Sequence, residues 1–230
     1  MTAIQPREAY ALLASEYDRA PNALASLEER TMAPLLPELR GRTVVDVAAG
    51  PGRWATRCAS RGASAISVDF CYEMLRFGAP PRVQADARRL PFRDSCADLV
   101  VCAFALGYAP EIFTELRRVV RPGGMVLASD VHPDALRRGW TRTFRYSGAR
   151  LDREAEASRG LKPALPDVIE IAHQLYALED LRAPDLWQTG LWQPCLGAPE
   201  RAIFEQAGCA ERFAEASLLP AIFVAQWIRV

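Results

Sequence analysis

Lysine is almost missing from this chain of 230 residues. Lys162 is the only one, so nearly all of the 28 basic side chains are arginine, and 28 acids match them. The formal net charge is zero with a sequence pI near 6.7, and no basic stripe is interleaved with aromatics, which argues against a nucleic-acid partner. Cysteine pairs at metal-binding spacing are also missing. Cys58, Cys71, Cys96, Cys102, Cys195 and Cys209 form no CxxC and no zinc or iron–sulfur pattern, so no metal is expected and they read as small core residues in a reducing compartment. No G-x-S-x-G elbow occurs, and a dinucleotide fingerprint would need a third glycine after Gly50-x-Gly52. The amino terminus has no basic segment followed by an apolar core. The longest apolar stretch, Cys96 to Ala109, is interrupted and too short to span a bilayer. A soluble, cytoplasmic protein without a membrane partner is expected. No repeat is present, half the residues are hydrophobic, and the length suits one domain, as a monomer or homodimer.

What is present centres on Thr43 to Arg53, TVVDVAAGPGR. Val44, Val45 and Val47 make a short apolar run that breaks into Ala48-Ala49-Gly50-Pro51-Gly52, and helical character resumes from Trp54 to Gly62; the order is buried strand, small-residue loop, helix. Such a loop lets backbone approach a ligand closely. Two helices are expected before it, one over Arg7 to Asp18 and one capped by Asn22 and running to Met32. After it, short runs at Ala65–Val68 and Arg82–Ala85 end in Asp69 and Asp86. Tyr72 to Phe77 and Glu111 to Arg121 read as helices, Ala97 to Phe104 as a central strand, Pro122-Gly123-Gly124 as a turn, and Met125 to Ser129 as the fifth strand. Strands alternating with helices predict an α/β fold with a parallel sheet covered on both faces.

Beyond Asp130 the periodicity fades, and the stretch to about Pro166 reads as an insertion over the sheet edge. Val168 to Tyr176 fits a helix or a strand, with the strand preferred and a helix starting near Leu178. Thr189 to Cys195 and Ala221 to Val230 are strand-like, with one helix from Glu200 to Phe213 between them.

In order along the chain, Asp46-x-Ala48-x-Gly50-x-Gly52, Asp69, Met74-Leu75, Asp86-Ala87, Arg89-Leu90-Pro91-Phe92, Ala97 to Cys102 and Arg118-Val119-Val120-Arg121-Pro122-Gly123-Gly124 resemble the motifs of class I S-adenosylmethionine-dependent methyltransferases, type 11-like and acting on small molecules. The similarity covers roughly residues 17 to 129, and its weight lies in the fixed order of the set. It implies a Rossmann-like, doubly wound seven-stranded sheet in the order 3-2-1-4-5-7-6 with strand 7 antiparallel. It divides the chain into a helical cover (1–40), a cofactor-binding core (43–130), a lid (131–188) and a terminal strand pair (189–230).

The resemblance also implies S-adenosylmethionine as cofactor and a small-molecule substrate. Ala48, Gly50 and Gly52 would admit the methionine part behind Asp46, Asp69 would take the ribose hydroxyls and Asp86 the adenine amino group. Phe70, Met74 and Ala87 would form apolar walls, Ala103, Phe104 and Tyr108 would lie beside the sulfonium, and Tyr17 would close over the cofactor. The family's first glycine is Ala48 here, which penalises a positive φ. His132 and His173 are the candidate bases, and Trp140, Arg142, Tyr146 and Tyr176 candidate cavity residues. A second route keeps the cofactor but has its amine close an azetidine ring, releasing methylthioadenosine, with Tyr176 as partner of the neutral amine. A third reading is a non-catalytic S-adenosylmethionine-binding protein.

Overall fold

The computed structural model describes residues 4–18, 21–109, 111–145 and 168–230. Five parallel strands come first: β1 (Thr43–Val47), β2 (Ser64–Asp69), β3 (Arg82–Gln84), β4 (Ala97–Ala103) and β5 (Val120–Val131). Near the carboxyl end β8 (Leu186–Trp192) and β9 (Ile222–Arg229) complete a seven-stranded sheet in the order β3-β2-β1-β4-β5-β9-β8, with β9 antiparallel to both neighbours. This is the order 3-2-1-4-5-7-6 once the separate two-stranded sheet of β6 (Arg142–Arg145) and β7 (Val168–Ile171) is set aside. β1 and β4 are almost wholly apolar because helices cover both faces of the sheet centre: Val44, Val45, Val47 and Leu99 through Cys102 are all buried.

Helices α1 (Pro6–Leu13) and α2 (Ala23–Met32) precede the sheet, and the Asn22 side chain accepts from Ala25 N at 3.0 Å as the cap of α2. Crossovers carry α3 (Arg53–Ser60), the short α4 (Tyr72–Leu75), and α5 (Ile112–Val119), whose Ile112, Phe113, Leu116 and Val119 face the core. α6 (Pro133–Arg137) follows β5.

Four expectations need correction. The helix foreseen from 200 to 213 is two, α7 (Ala198–Gln206) and α8 (Glu211–Ala216), broken where Gly208 turns left-handed at φ 77°. The Pro122-Gly123-Gly124 turn is absorbed into β5 as a bulge, pairing jumping from Ala97↔Val120 to Leu99↔Met125. The strand expected over 168–176 stops at Ile171, since the amino-terminal arm rather than the main sheet is its other neighbour: Ile4 bridges Ile171 and its carbonyl accepts from Ala172 N at 2.8 Å. Leu175 is consequently exposed. The expected helix near Leu178 is a single 3-10 turn, Leu178–Asp180, and most of the expected insertion, 146–167, lies outside the described residues.

Two substitutions separate core from cap. Leu99→Ala, in the middle of the sheet, is expected to cost roughly 2–5 kcal/mol, whereas Asn22→Ala loses one cap and about 1 kcal/mol. Urea unfolding of the two variants beside the wild type checks both size and rank.

Candidate functional site

The strand order reverses between β1 and β4, and the crevice beyond their carboxyl ends is where an open α/β sheet takes a ligand. The β1–α3 loop floors it. Ala48, Gly50 and Gly52 all have positive φ, at 55°, 56° and 81°. Alanine thus adopts the backbone that the missing glycine would have taken. A Cβ on Gly50 would meet Met74 Cε at 3.2 Å, and one on Gly52 would come within 2.8 Å of Ser67 Oγ; the positive φ strains a side chain at either position, and at Gly52 Ser67 would also have to shift.

Gly50 N donates to Asp69 Oδ2 at 2.7 Å, and Cys71 N to Asp69 Oδ1 at 2.8 Å. Burial pushes the Asp69 carboxyl up, and the backbone donors Cys71, Gly50 and Phe70 hold it back. A carboxylate offers about four acceptor positions, so capacity for further hydroxyl donors remains. At the tip of β3, Asp86 is engaged by Arg88, whose Nη2 lies 2.6 Å from Oδ2 and whose Nε is 3.0 Å from Oδ1. That guanidinium holds the Asp86 carboxyl below its usual range.

A cavity of about 260 Å³ runs between these acids. Tyr17, Ala48, Gly50, Asp69, Phe70, Met74, Asp86, Ala87, Ala103, Phe104 and Tyr108, all expected from the sequence, line it. Asp46 and Gly52 do not. Asp46 lies under the loop, accepting from Ala55 N in the first turn of α3 at 2.8 Å, and Gly52 is the left-handed residue that starts that helix. The sequence reading missed Gln5, Pro6, Arg7 and Tyr10 of the amino-terminal arm, and Cys71, Arg88, Ala105, Ala109 and Ile112. Tyr10 has a legible signal, being an aromatic two helical turns before Tyr17. Its hydroxyl lies 2.5 Å from that of Tyr108, and its ring meets Tyr17 and Tyr108 edge-on.

A second cavity of about 150 Å³ adjoins the first, with Tyr10, Tyr17 and Phe104 lining both; Arg53 and Arg142 are on its wall. Arg142 forms a buried ion pair with Asp130, donates to Phe104 O at 2.6 Å and stacks over the Tyr108 ring at 4.1 Å. The expected catalytic residues lie elsewhere. His132 is buried at the start of α6, its Nδ1 accepting from Asp134 N at 3.1 Å, which leaves Nε2–H to donate to Gln193 Oε1 at 2.6 Å. His173 Nδ1 reaches Ile171 O at 3.4 Å. Tyr176 donates to Val131 O at 2.9 Å and packs edge-on against Phe223, and burial pushes its hydroxyl far above the usual phenol range. None of the three lines either cavity, nor does buried Trp140. Tyr146 is outside the described residues.

Fold and crevice together define a Rossmann-like α/β protein with a nucleoside-sized cleft at its switch point. Residues 45–128 match the family model for a methyltransferase domain. The biotin biosynthesis bifunctional protein BioHC of Cellvibrio japonicus is 30% identical over 155 residues, 60% of this chain and 30% of that protein. Demethylmenaquinone methyltransferase of Renibacterium salmoninarum is 32% identical over 134 residues, 53% of this chain and 56% of that one; the chain thus spans less than two thirds of both curated relatives. An S-adenosylmethionine-dependent methyltransferase from Mesorhizobium loti superposes with a TM-score of 0.61 at 17% identity, over 90% of this chain and 100% of that one, a likeness of fold. Residues 45–128 are thus similar to a methyltransferase domain, and the sheet around them has the fold of the Mesorhizobium loti methyltransferase.

Burial raises the Asp46 carboxyl from 3.8 to about 7, against the pull of the Ala55 N–H. A folded chain that binds this proton more tightly than the unfolded chain loses stability as pH rises from about 4 to about 7; three pH units correspond to roughly 4 kcal/mol at most. Asp46→Asn keeps an acceptor for Ala55 N without the buried charge. In urea titrations at pH 5 and pH 8, the wild type is expected to be weaker at pH 8, and the variant to show a smaller fall. Ala48→Gly should relieve the left-handed strain, adding about 1 kcal/mol, or about 2–4 °C in Tm by calorimetry.

Proposed function

We propose that the chain binds S-adenosylmethionine across the larger cavity and transfers its methyl group to an oxygen, nitrogen or carbon nucleophile of a small molecule. The observation that carries this reading is the pair of strand-tip acids, Asp69 and Asp86, on one cavity with Gly50 pressed against Met74 at its floor. Asp69 keeps acceptor capacity for two ribose hydroxyls, a charge-assisted contact. Asp86, steadied by Arg88, faces the adenine edge, with Phe70, Met74 and Ala87 as walls. Ala103, Phe104 and Tyr108 border the sulfonium end, where aromatic faces favour positive charge. Tyr17 and Tyr10 close the amino-terminal side.

When bound, the cofactor supplies an activated methyl on a sulfonium. The residues of the chain supply position and dryness: the β1–α3 loop and the two acids fix one reactant, and the tyrosine cover excludes water. With His132 and His173 outside both cavities, the reading assigns neither as the base. The relatives bear the names of biotin biosynthesis and demethylmenaquinone methylation, so kinship supports a small-molecule acceptor without choosing one. Tyr176, the residue named for azetidine closure, has its hydroxyl on Val131 O, and no other feature favours that route.

Calorimetry with S-adenosylhomocysteine and mass spectrometry of the products test the proposal. The wild type is expected to bind, to leave S-adenosylmethionine unchanged when alone, and to yield S-adenosylhomocysteine with small-molecule extract. Asp69→Asn should weaken binding about ten- to a hundredfold, the worth of a hydrogen bond to a charged group. Methylthioadenosine appearing from cofactor alone would replace methyl transfer with cyclisation, and binding without turnover would leave a non-catalytic binder.

A further inference from the structure

Arg142 is the first residue of β6 and does not line the larger cavity, yet its guanidinium is buried and touches three segments at the carboxyl end of the sheet. Nη2 pairs with Asp130 near the end of β5, Nη1 donates to Phe104 O just past β4 at 2.6 Å, and the plane lies over the Tyr108 ring at 4.1 Å. Asp130 is held in turn by Gly107 N and Val131 N, each at 2.7 Å. A buried pair of this kind adds little net stability, because desolvation offsets the attraction; its effect lies in what the planar fork holds still. Phe104 has φ 57°, a left-handed backbone that costs a non-glycine residue about 1–2 kcal/mol and persists only where the surroundings fix it. Two bonds do so: Phe104 N donates to Ser129 O at 2.8 Å, and the Phe104 carbonyl accepts from Arg142. Tyr108 is fixed on a ring face by the guanidinium and at its hydroxyl by that of Tyr10.

We propose that Arg142 is a positioning residue of methyl transfer, acting through Phe104 and Tyr108 to hold the sulfonium end of the larger cavity in its reactive shape. This rests on the reading under Proposed function, in which those two aromatic residues border the sulfonium. In the transfer an electron pair of the acceptor forms the bond to the methyl carbon, the pair of the breaking C–S bond stays on sulfur to give S-adenosylhomocysteine, and a proton carried by the acceptor leaves to water. Attack has to be in line with the breaking bond, so the walls beside the sulfonium govern how often the two reactants align; a displacement of about 1 Å can lower the rate about a hundredfold. The nucleoside, in the same reading, is gripped at Asp69 and Asp86 on the tips of β2 and β3, which Arg142 does not touch. Loss of the fork therefore acts on alignment and leaves affinity nearly as it was. β6 belongs to the separate two-stranded sheet, so one guanidinium registers that sheet against the ends of β4 and β5 where the reactants meet.

The test separates turnover from binding in the full chain. Arg142→Lys keeps a cation for Asp130 but has neither a second arm for Phe104 O nor a plane for Tyr108. With saturating S-adenosylmethionine and the small-molecule extract that supports the wild type, its rate of S-adenosylhomocysteine formation is expected to fall about ten- to a hundredfold. Its affinity for S-adenosylhomocysteine by calorimetry is expected to stay within about threefold of the wild type. Tyr108→Leu removes the ring on which the guanidinium acts, and the double variant is expected to lose less than the product of the two single losses, as residues working through one contact do. If the lysine variant does not fold, Arg142→Gln combined with Asp130→Asn removes both buried charges together and enters the same assay with the same expected split. Turnover close to the wild type, turnover and binding falling in equal proportion, or failure of both Arg142 variants to fold overturns the proposal and leaves Arg142 a purely structural residue. A wild type that binds no S-adenosylhomocysteine, or forms none with extract, would instead overturn the reading under Proposed function and this one with it.

Discussion

The hydrogen bond from Gly50 N to Asp69 Oδ2 couples the two strand ends on which the cleft is built. It joins the loop after β1 to the tip of β2, sets the width of the cavity floor, and holds the acid in an orientation it would otherwise have to find when a ligand arrived. The bond is possible because Gly50 has a left-handed backbone and no side chain against Met74. Ala49 N to Val68 O at 2.9 Å repeats the tie one residue earlier, so loop and strand move as one body. Preorganisation of this kind lowers the ordering cost of binding.

Around that floor the chain places charge where water is excluded, and Glu28 and Asp130 there are held by several partners each. Glu28 connects the amino-terminal cover to α3 and β5 through Arg53, Trp54 and Ser129. Asp130 and Arg142 pin the start of β6 to β5 and to the end of β4, with Gly107 N and Val131 N also donating to the acid at 2.7 Å. Buried pairs contribute little net stability, because desolvation offsets the attraction, but removing one partner is costly. Their effect here is geometric: elements far apart in sequence meet at the mouth of the cleft in one arrangement. Asp46, buried under the loop and accepting from the Ala55 N–H of α3, has its carboxyl pushed up to about 7 by burial, so its contribution to stability responds to pH near neutrality.

Much of the core was legible because short apolar runs ending in acids or small residues are what a doubly covered parallel sheet demands. Val44 to Val47, Leu99 to Cys102, and the acids Asp69 and Asp86 fall where that pattern puts them. Periodicity was less informative where contacts are nonlocal. His132 follows strand β5 at the functional edge, yet its ring is turned to Gln193, sixty-one residues away, a partner no local pattern reveals. Tyr10 reads as one more residue of an amphipathic helix, and becomes a cavity residue only because α1 packs against α4 and β7 and brings its ring to Tyr108.

The sequence by itself determined the strand–loop–helix order, the strand-tip acids and the small-residue loop, since burial on both faces and backbone approach restrict residue types within a few positions. Only the tertiary structure decided that Asp46 and Gly52 support the loop from outside the cavity, that Tyr176 is engaged by a carbonyl, and that one arm of Arg53 finds no hydrogen-bond partner among the described residues. Those outcomes depend on the directions of side chains brought together across the sheet, and direction is fixed by packing against residues that the local sequence does not contain.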